Sequence, residues 1–199
     1  MDTIMQNRFS CRKFSDEKIS NEVIKEIINL TRLTPSSFGL EPWKFMVVSK
    51  KQDLENLSLA CKNQPQVANC SHAVIIFARN DLRKKDEFLL NVIKQQGKSS
   101  EKVTQFHEMI CSITDNMSDE ELFNYSSLQV YMTIANLVNI AYAKDVKSCI
   151  IGGFELDKLK EFANLSENFK PCIVIALGKS DENGGVKIRQ NLDDVLIWK

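Results

Sequence analysis

The sequence predicts an α+β fold in which helices cover both faces of one sheet. FMVV (45–48), AVIIFA (73–78) and CIVIAL (172–177) are short runs rich in β-branched and aromatic side chains. None alternates with polar residues, so each reads as a strand buried on both faces. Segments of helical apolar spacing separate them, and a sheet hidden on both sides needs a helical layer on each. With 199 residues, 43% apolar and 26% charged, the chain suits one domain spanning 1–199. It contains neither an internal repeat nor a linker-like tract.

Taken in order, residues 20–33 place Val23, Ile24, Ile27, Ile28 and Leu30 at the spacing of an amphipathic helix. Ser20 or Asn21 can cap its orphan amides, and Pro35 stops it. The strand at 45–48 is followed by a short helix at 53–60 and the strand at 73–78. Residues 81–102 then carry ten charges and a Gly97-Lys98-Ser99-Ser100 break between two helix-like pieces. They read as a solvated helical excursion, continuing to about residue 127, that could also serve as a movable cover. Ser118 and Glu121 form a capping box that opens the longest helix, predicted to run to about Lys144. A second short helix at 155–163 precedes the last strand.

On the long helix, Gln129, Thr133, Asn136 and Asn139 gather on one arc, while apolar residues from Leu128 to Tyr142 cover more than half the circumference. A helix facing a single core needs a narrower stripe. A partner subunit related by a two-fold axis would bury the excess, as would a central position in a three-layer monomer.

Charge excludes some functions. The 26 basic and 26 acidic side chains cancel, which argues against nucleic acid or an anionic membrane surface as partner. No apolar run approaches the ~20 residues of a membrane span. The charged start, MDTIMQNRFSCRKF, does not read as a signal peptide, so a cytoplasmic protein is expected. The six cysteines are scattered without a C-x-x-C pair, and there are only two histidines, so no metal site is expected.

Chemistry is suggested first by Arg8, Ser10 and Arg12, which project from one face of an extended chain and suit a phosphate. Lys187 and Arg189 repeat the alternation behind Gly184 and Gly185. Convergence on one anion and two independent solvated pairs both satisfy this periodicity. In TPSSFGLEPWKF (34–45), Ser36, Ser37, Phe38 and Gly39 make a small polar loop with one aromatic, suited to lying against a flat ring. IIGGF (150–154) follows a strand-like entry at Ser148, and its paired glycines allow close approach to the backbone or simply turn the chain into the next helix.

In this order the segments resemble the nitroreductase family of FMN-dependent oxidoreductases. RFSCRKF (8–14), PSSFGLEPWKF (35–45), CKNQPQ (61–66), SCIIGGF (148–154) and GVKIR (185–189) carry the resemblance along nearly the whole chain. The first and fourth point to the oxygen-insensitive branch that includes metronidazole-activating enzymes. The resemblance implies a central mixed sheet and an intertwined homodimer with FMN at the subunit interface. It implies that Arg8, Phe9, Ser10, Arg12, Lys187 and Arg189 hold the phosphate and ribityl chain. Asn63 and Gln66 would read the pyrimidine edge, and Ile151, Gly152 and Gly153 would lie near the reactive edge of the flavin. Ser36, Ser37, Phe38 and Gly39 would come from the second subunit. Phe38 and Phe106 would wall the acceptor pocket, and no side chain would act as nucleophile or catalytic acid. Many relatives carry glutamate at the position of Gly152, and some carry asparagine at Gly39 and lysine at Gln66. Cys11 and Cys149 fall beside these positions and read as small packed residues.

The implied activity is two-electron transfer from NAD(P)H to a nitroaromatic or quinone-like acceptor in one shared pocket, hence ping-pong. The chain has no G-x-G-x-x-G or Walker pattern for a separate nucleotide domain. A flavin reductase or another FMN enzyme on the same fold would share every cofactor residue. A flavin or thiol redox sensor without turnover is the reading from a different class.

Overall fold

A computed structural model describes residues 1–199. Its sheet has four strands in the order β1 (Trp43–Val48), β2 (His72–Arg79), β4 (Phe169–Gly178), β3 (Lys147–Ile151). The helices are α1 (Asp2–Asn7), α2 (Asn21–Thr31), α3 (Lys51–Ala60), α4 (Pro65–Ala68), α5 (Glu87–Lys94), α6 (Ser100–Thr114), α7 (Asp119–Ala143), α8 (Leu156–Ala163) and α9 (Leu192–Val195). All three strand pairings are antiparallel. The parallel component of the expected mixed sheet is one bridge, Ser10 to Ser148, which lays the N-terminal segment along the outer edge of β3.

Period-two alternation splits the core between the two faces. Val74, Ile76, Ile173, Ile175 and Leu177 join α2 and α7 in one cluster. Ala73, Ile75, Phe77, Val174 and Ala176 join α3 and α8 in the other. This is why β2 and β4 show continuous apolar runs. β1 departs from the expectation of burial on both faces: Phe45 and Met46 are half-buried and Val47 is exposed, since an edge strand lies at the margin of both helical layers. Its Val48 still reaches the core.

The helices follow their sequence signals closely. Ser20 caps α2 by accepting from the Val23 amide at 3.3 Å. Ser118 and Glu121 cap α7 reciprocally, through bonds of 3.2 and 2.8 Å. The break at 97–99 separates α5 from α6, and the two helices fold over a third cluster that includes Leu40, Leu82, Ile93 and Leu122.

α7 turns half of its polar arc inward, with Asn136 exposed and Asn139 half-buried. Gln129 and Thr133 are buried, and the Asn136 amide donates to the Thr34 hydroxyl at 2.8 Å. Leu128 (72% exposed), Tyr131 and Met132 face outward. Beyond Gly178 the chain has little regular structure, and Ile188, Ile197 and Trp198 are exposed. No helix is long and apolar enough to cross a membrane.

Candidate functional site

The two ends of the chain run side by side. Ser15 donates from its amide to the Lys179 carbonyl at 2.8 Å, and the Ser180 hydroxyl donates to the Lys13 carbonyl. The Glu182 carboxylate accepts from the Arg12 and Lys13 amides at 2.8 and 3.3 Å. Farther along, the Lys187 ammonium donates to the Met5 carbonyl. Gly184 lies against Phe9 so closely that a Cβ there would sit 2.5 Å from the Phe9 Cγ, so any larger residue would push the ring aside.

This antiparallel pairing encloses a cavity of about 210 Å³ lined by residues 6–10 and 184–189. Arg8, Phe9, Ser10, Lys187 and Arg189 all contribute to it. The two cationic pairs therefore converge, which the periodicity alone left open. None of Arg8, Arg12, Lys187 and Arg189 forms an ion pair with a carboxylate. Burial holds the Lys187 ammonium below the usual lysine range, and the nearby Arg8 and Arg189 charges add to the shift. Cations that repel one another without a counterion favour an anion between them.

Arg12 lies outside that cavity. Its guanidinium donates to the Ser10 carbonyl at 3.2 Å and stands near Cys149. Burial pushes the Cys149 thiol up, with Arg12 pulling the other way. The Cys11 amide donates to the Ser148 carbonyl at 2.9 Å, so the cationic segment is fastened to β3 by its backbone. β3 ends at Ile151, whose side chain is buried.

Gly152 and Gly153 follow. A Cβ on Gly152 would meet only the Ile173 Cδ1, at 3.7 Å, so the strand end is open. The Gln64 amide nitrogen donates to the carbonyls of Gly153 (2.8 Å) and Cys61 (3.0 Å). The Gln66 amide donates to the Gln64 Oε1 at 2.8 Å. Lys62 and Asn63 both have positive φ, 57° and 56°, and this sharp turn presents Asn63 beside them. The cationic segment thus pairs with β3 at Ser148, and the glycine pair with the Gln64 and Gln66 amides follows past the strand's C-terminal end. Gln64 was not singled out from sequence, where a lone amide between two others carries no pattern.

Ser36, Ser37, Phe38 and Gly39 form a separate group. Ser37 begins a short 3-10 turn, and its amide donates to the buried Gln129 Oε1 at 2.9 Å. Phe38 and Gly39 have φ of 56° and 65°, and the Gln96 amide donates to both carbonyls. Phe38 meets Phe106 edge to face, with ring centroids 5.9 Å apart. Lys98 lies over the Phe106 ring, 4.4 Å from its centroid. The excursion therefore grips this loop through α6 and the turn before it. No hydrogen bond or ion pair joins this group to the cationic cradle in one protomer. Gln96 and Lys98 were legible only as part of a charged surface.

The histidines and remaining cysteines are packed elements. His72 sits between the Ser71 hydroxyl and the Asn21 side chain, each at 3.0 Å, and burial lowers its pKa. All six cysteines are free, and five are buried.

Comparison with known proteins places this architecture. The profile of the Nitroreductase family matches residues 5–179. A Staphylococcus epidermidis protein named "Putative NAD(P)H nitroreductase" is 33% identical over 197 residues, spanning 92% of this chain and 88% of its own. A nitroreductase-like protein from Streptococcus mutans superposes with a TM-score of 0.89 at 20% identity, covering 99% of this chain and 97% of that one. A structure from Exiguobacterium sibiricum, described as a "putative nitroreductase in complex with FMN", gives 0.87 at 24% identity, covering 100% and 96%.

Proposed function

This chain belongs to the nitroreductase family, and on that footing we propose that it is an FMN-dependent oxidoreductase passing two electrons from NAD(P)H to nitroaromatic or quinone-like acceptors. One observation carries the reading: Arg8, Lys187 and Arg189 line one small cavity with Ser10, and no carboxylate neutralises them. A phosphate ester is the group this donor set fits, since guanidinium forks and an ammonium match its oxygens. The cavity has room for the phosphate and its ester arm. The open strand end at Gly152 would admit a flat ring against the backbone.

When bound, FMN supplies the two-electron chemistry. The chain holds and orients. Arg8, Phe9, Ser10, Arg12, Lys187 and Arg189 grip the phosphate and ribityl arm. Asn63 and Gln66 meet the pyrimidine edge, with Gln64 fixing Gln66 to Gly153. Ile151, Gly152 and Gly153 present backbone rather than side chain to the ring. No residue is assigned as nucleophile or acid. Ser36, Ser37, Phe38 and Gly39 close the site from a second copy, which is why they stand apart from the cradle in one protomer. Phe38 and Phe106 wall the acceptor pocket.

The chain acts as one domain, with 81–127 as the cover beside the site. The homodimer reading is supported by the outward Leu128, Tyr131 and Met132 of α7 and by the exposed apolar tail at 186–198. Donor and acceptor share one pocket, so double-reciprocal plots should be parallel. The deciding experiment is an anaerobic absorbance spectrum of the purified protein, before and after NADH or NADPH. A yellow protein that bleaches with either is expected. A protein that stays colourless when FMN is added would overturn the assignment.

A further inference from the structure

A carboxylate next to an anion site is out of place on charge alone, yet Glu182 stands there. Its Oε2 accepts from the amides of Arg12 and Lys13 at 2.8 and 3.3 Å. The Arg12 amide is the main cause holding its carboxyl below the usual glutamate range, helped by the Cys11 thiol and then the Lys13 amide. Its own amide donates to the Ser180 hydroxyl at 2.9 Å, and that hydroxyl donates onward to the Lys13 carbonyl. One side chain thus clamps the strand bearing Arg8, Ser10 and Arg12 to the strand bearing Lys187 and Arg189.

We infer that Glu182 is a positioning residue for the cofactor phosphate, fixing the spacing of the two cationic strands through the backbone of residues 12 and 13. The inference rests on the FMN reading above. Neither segment belongs to the four-stranded sheet: residues 8–11 are half-buried or buried and touch β3 only at Ser148, while residues 183–189 are exposed over most of their length. Without this clamp the remaining ties, Ser15 to Lys179, Ser180 to Lys13 and Lys187 to Met5, would hold the two segments less firmly, and the further ordering on ligand binding would be taken from affinity. A carboxylate is suited to the task because one ionised oxygen accepts two amides at once, with stronger bonds than a neutral acceptor makes. The flanking Asp181 makes no such contact and is exposed.

Two physical effects predict opposite signs, which makes the idea testable. By Coulomb's law, removing a negative charge near the cradle should tighten phosphate binding. By positioning, removing the acceptor should loosen it. The full-length protein, freed of flavin by dialysis, is titrated with FMN and separately with riboflavin, which lacks the phosphate. Glu182→Ala should bind FMN at least about tenfold more weakly while its riboflavin affinity stays at the wild-type level. Glu182→Gln keeps an oxygen acceptor for the two amides but makes weaker bonds, so its FMN affinity should lie between wild type and Glu182→Ala. Asp181→Ala, the control for charge alone, should not lose FMN affinity.

If Glu182→Ala binds FMN as well as wild type or better, the carboxylate is only a local charge and the inference fails. It fails equally if Glu182→Ala loses riboflavin and FMN in the same proportion, because a general disruption does not discriminate by phosphate. Wild type that binds neither flavin would overturn the FMN reading and this inference with it, an outcome distinct from the other two.

Discussion

Arg12 works at both of its ends. Its backbone amide is held by Glu182, and its guanidinium reaches along the strand to the Ser10 carbonyl and toward Cys149. Arg189, from the far end of the chain, completes the cradle. Hydrogen bonds to charged groups contribute roughly 1.5–3 kcal/mol each, and burial of the flavin ring must supply much of the remaining affinity. An Arg12→Ala, Arg189→Ala double variant is therefore expected to bind FMN about a hundredfold more weakly and to lose its colour on dilution. Unchanged retention, followed by absorbance through a desalting column, would refute the phosphate assignment. At the same scale the thiols argue against a cysteine sensor. Burial pushes Cys61 and Cys70 up to about 12 and Cys172 up to about 11, which leaves little thiolate to react with an oxidant near neutrality. The cationic pairs were readable in the sequence because alternation in an extended strand is itself a pattern. Gln64 and Glu182 were not, since each acts through a backbone group that only the folded chain brings near.

At the scale of elements, α7 shows both the reach and the limit of periodicity. Its cap was plain from S-x-x-E, and the reciprocal bonds between Ser118 and Glu121 follow. Ser118→Ala should cost about 1 kcal/mol, seen as a lower urea midpoint with an unchanged slope. An unchanged midpoint would mean that packing alone sets the start of this helix. The spacing also identified a polar arc and an oversized apolar one, but not their directions. Gln129 and Thr133 are buried, with Gln129 accepting from the Ser37 amide, while Asn136 stays exposed and reaches the Thr34 hydroxyl from the rim. The strands behaved similarly. Continuous apolar runs located β2 and β4, whereas β1 was read as fully buried because its sequence does not reveal that one edge lacks a neighbour. β3, at five residues, was visible only as a strand-like start at Ser148.

Over the whole molecule, the outward apolar face of α7 and the separation of Ser36–Gly39 from the cradle lead to one expectation. The protein should sedimentate as a dimer, and a Leu128→Glu, Tyr131→Glu variant should sedimentate as a monomer that has lost most of its flavin. A charged variant that remains dimeric and yellow would place the interface elsewhere. The sheet order and the antiparallel pairings were not legible, because neighbours in a sheet are set by packing between distant segments. The pairing of the two chain ends has a further consequence, for how the molecule responds to a cut. Every residue of the three buried clusters precedes Gly178, whereas residues 183–186, which lead to Lys187 and Arg189, are exposed. A protease that severs the chain there would leave the core whole and one wall of the cationic cavity tethered only through its contact with Met5, giving a folded body with a weakened hold on anions.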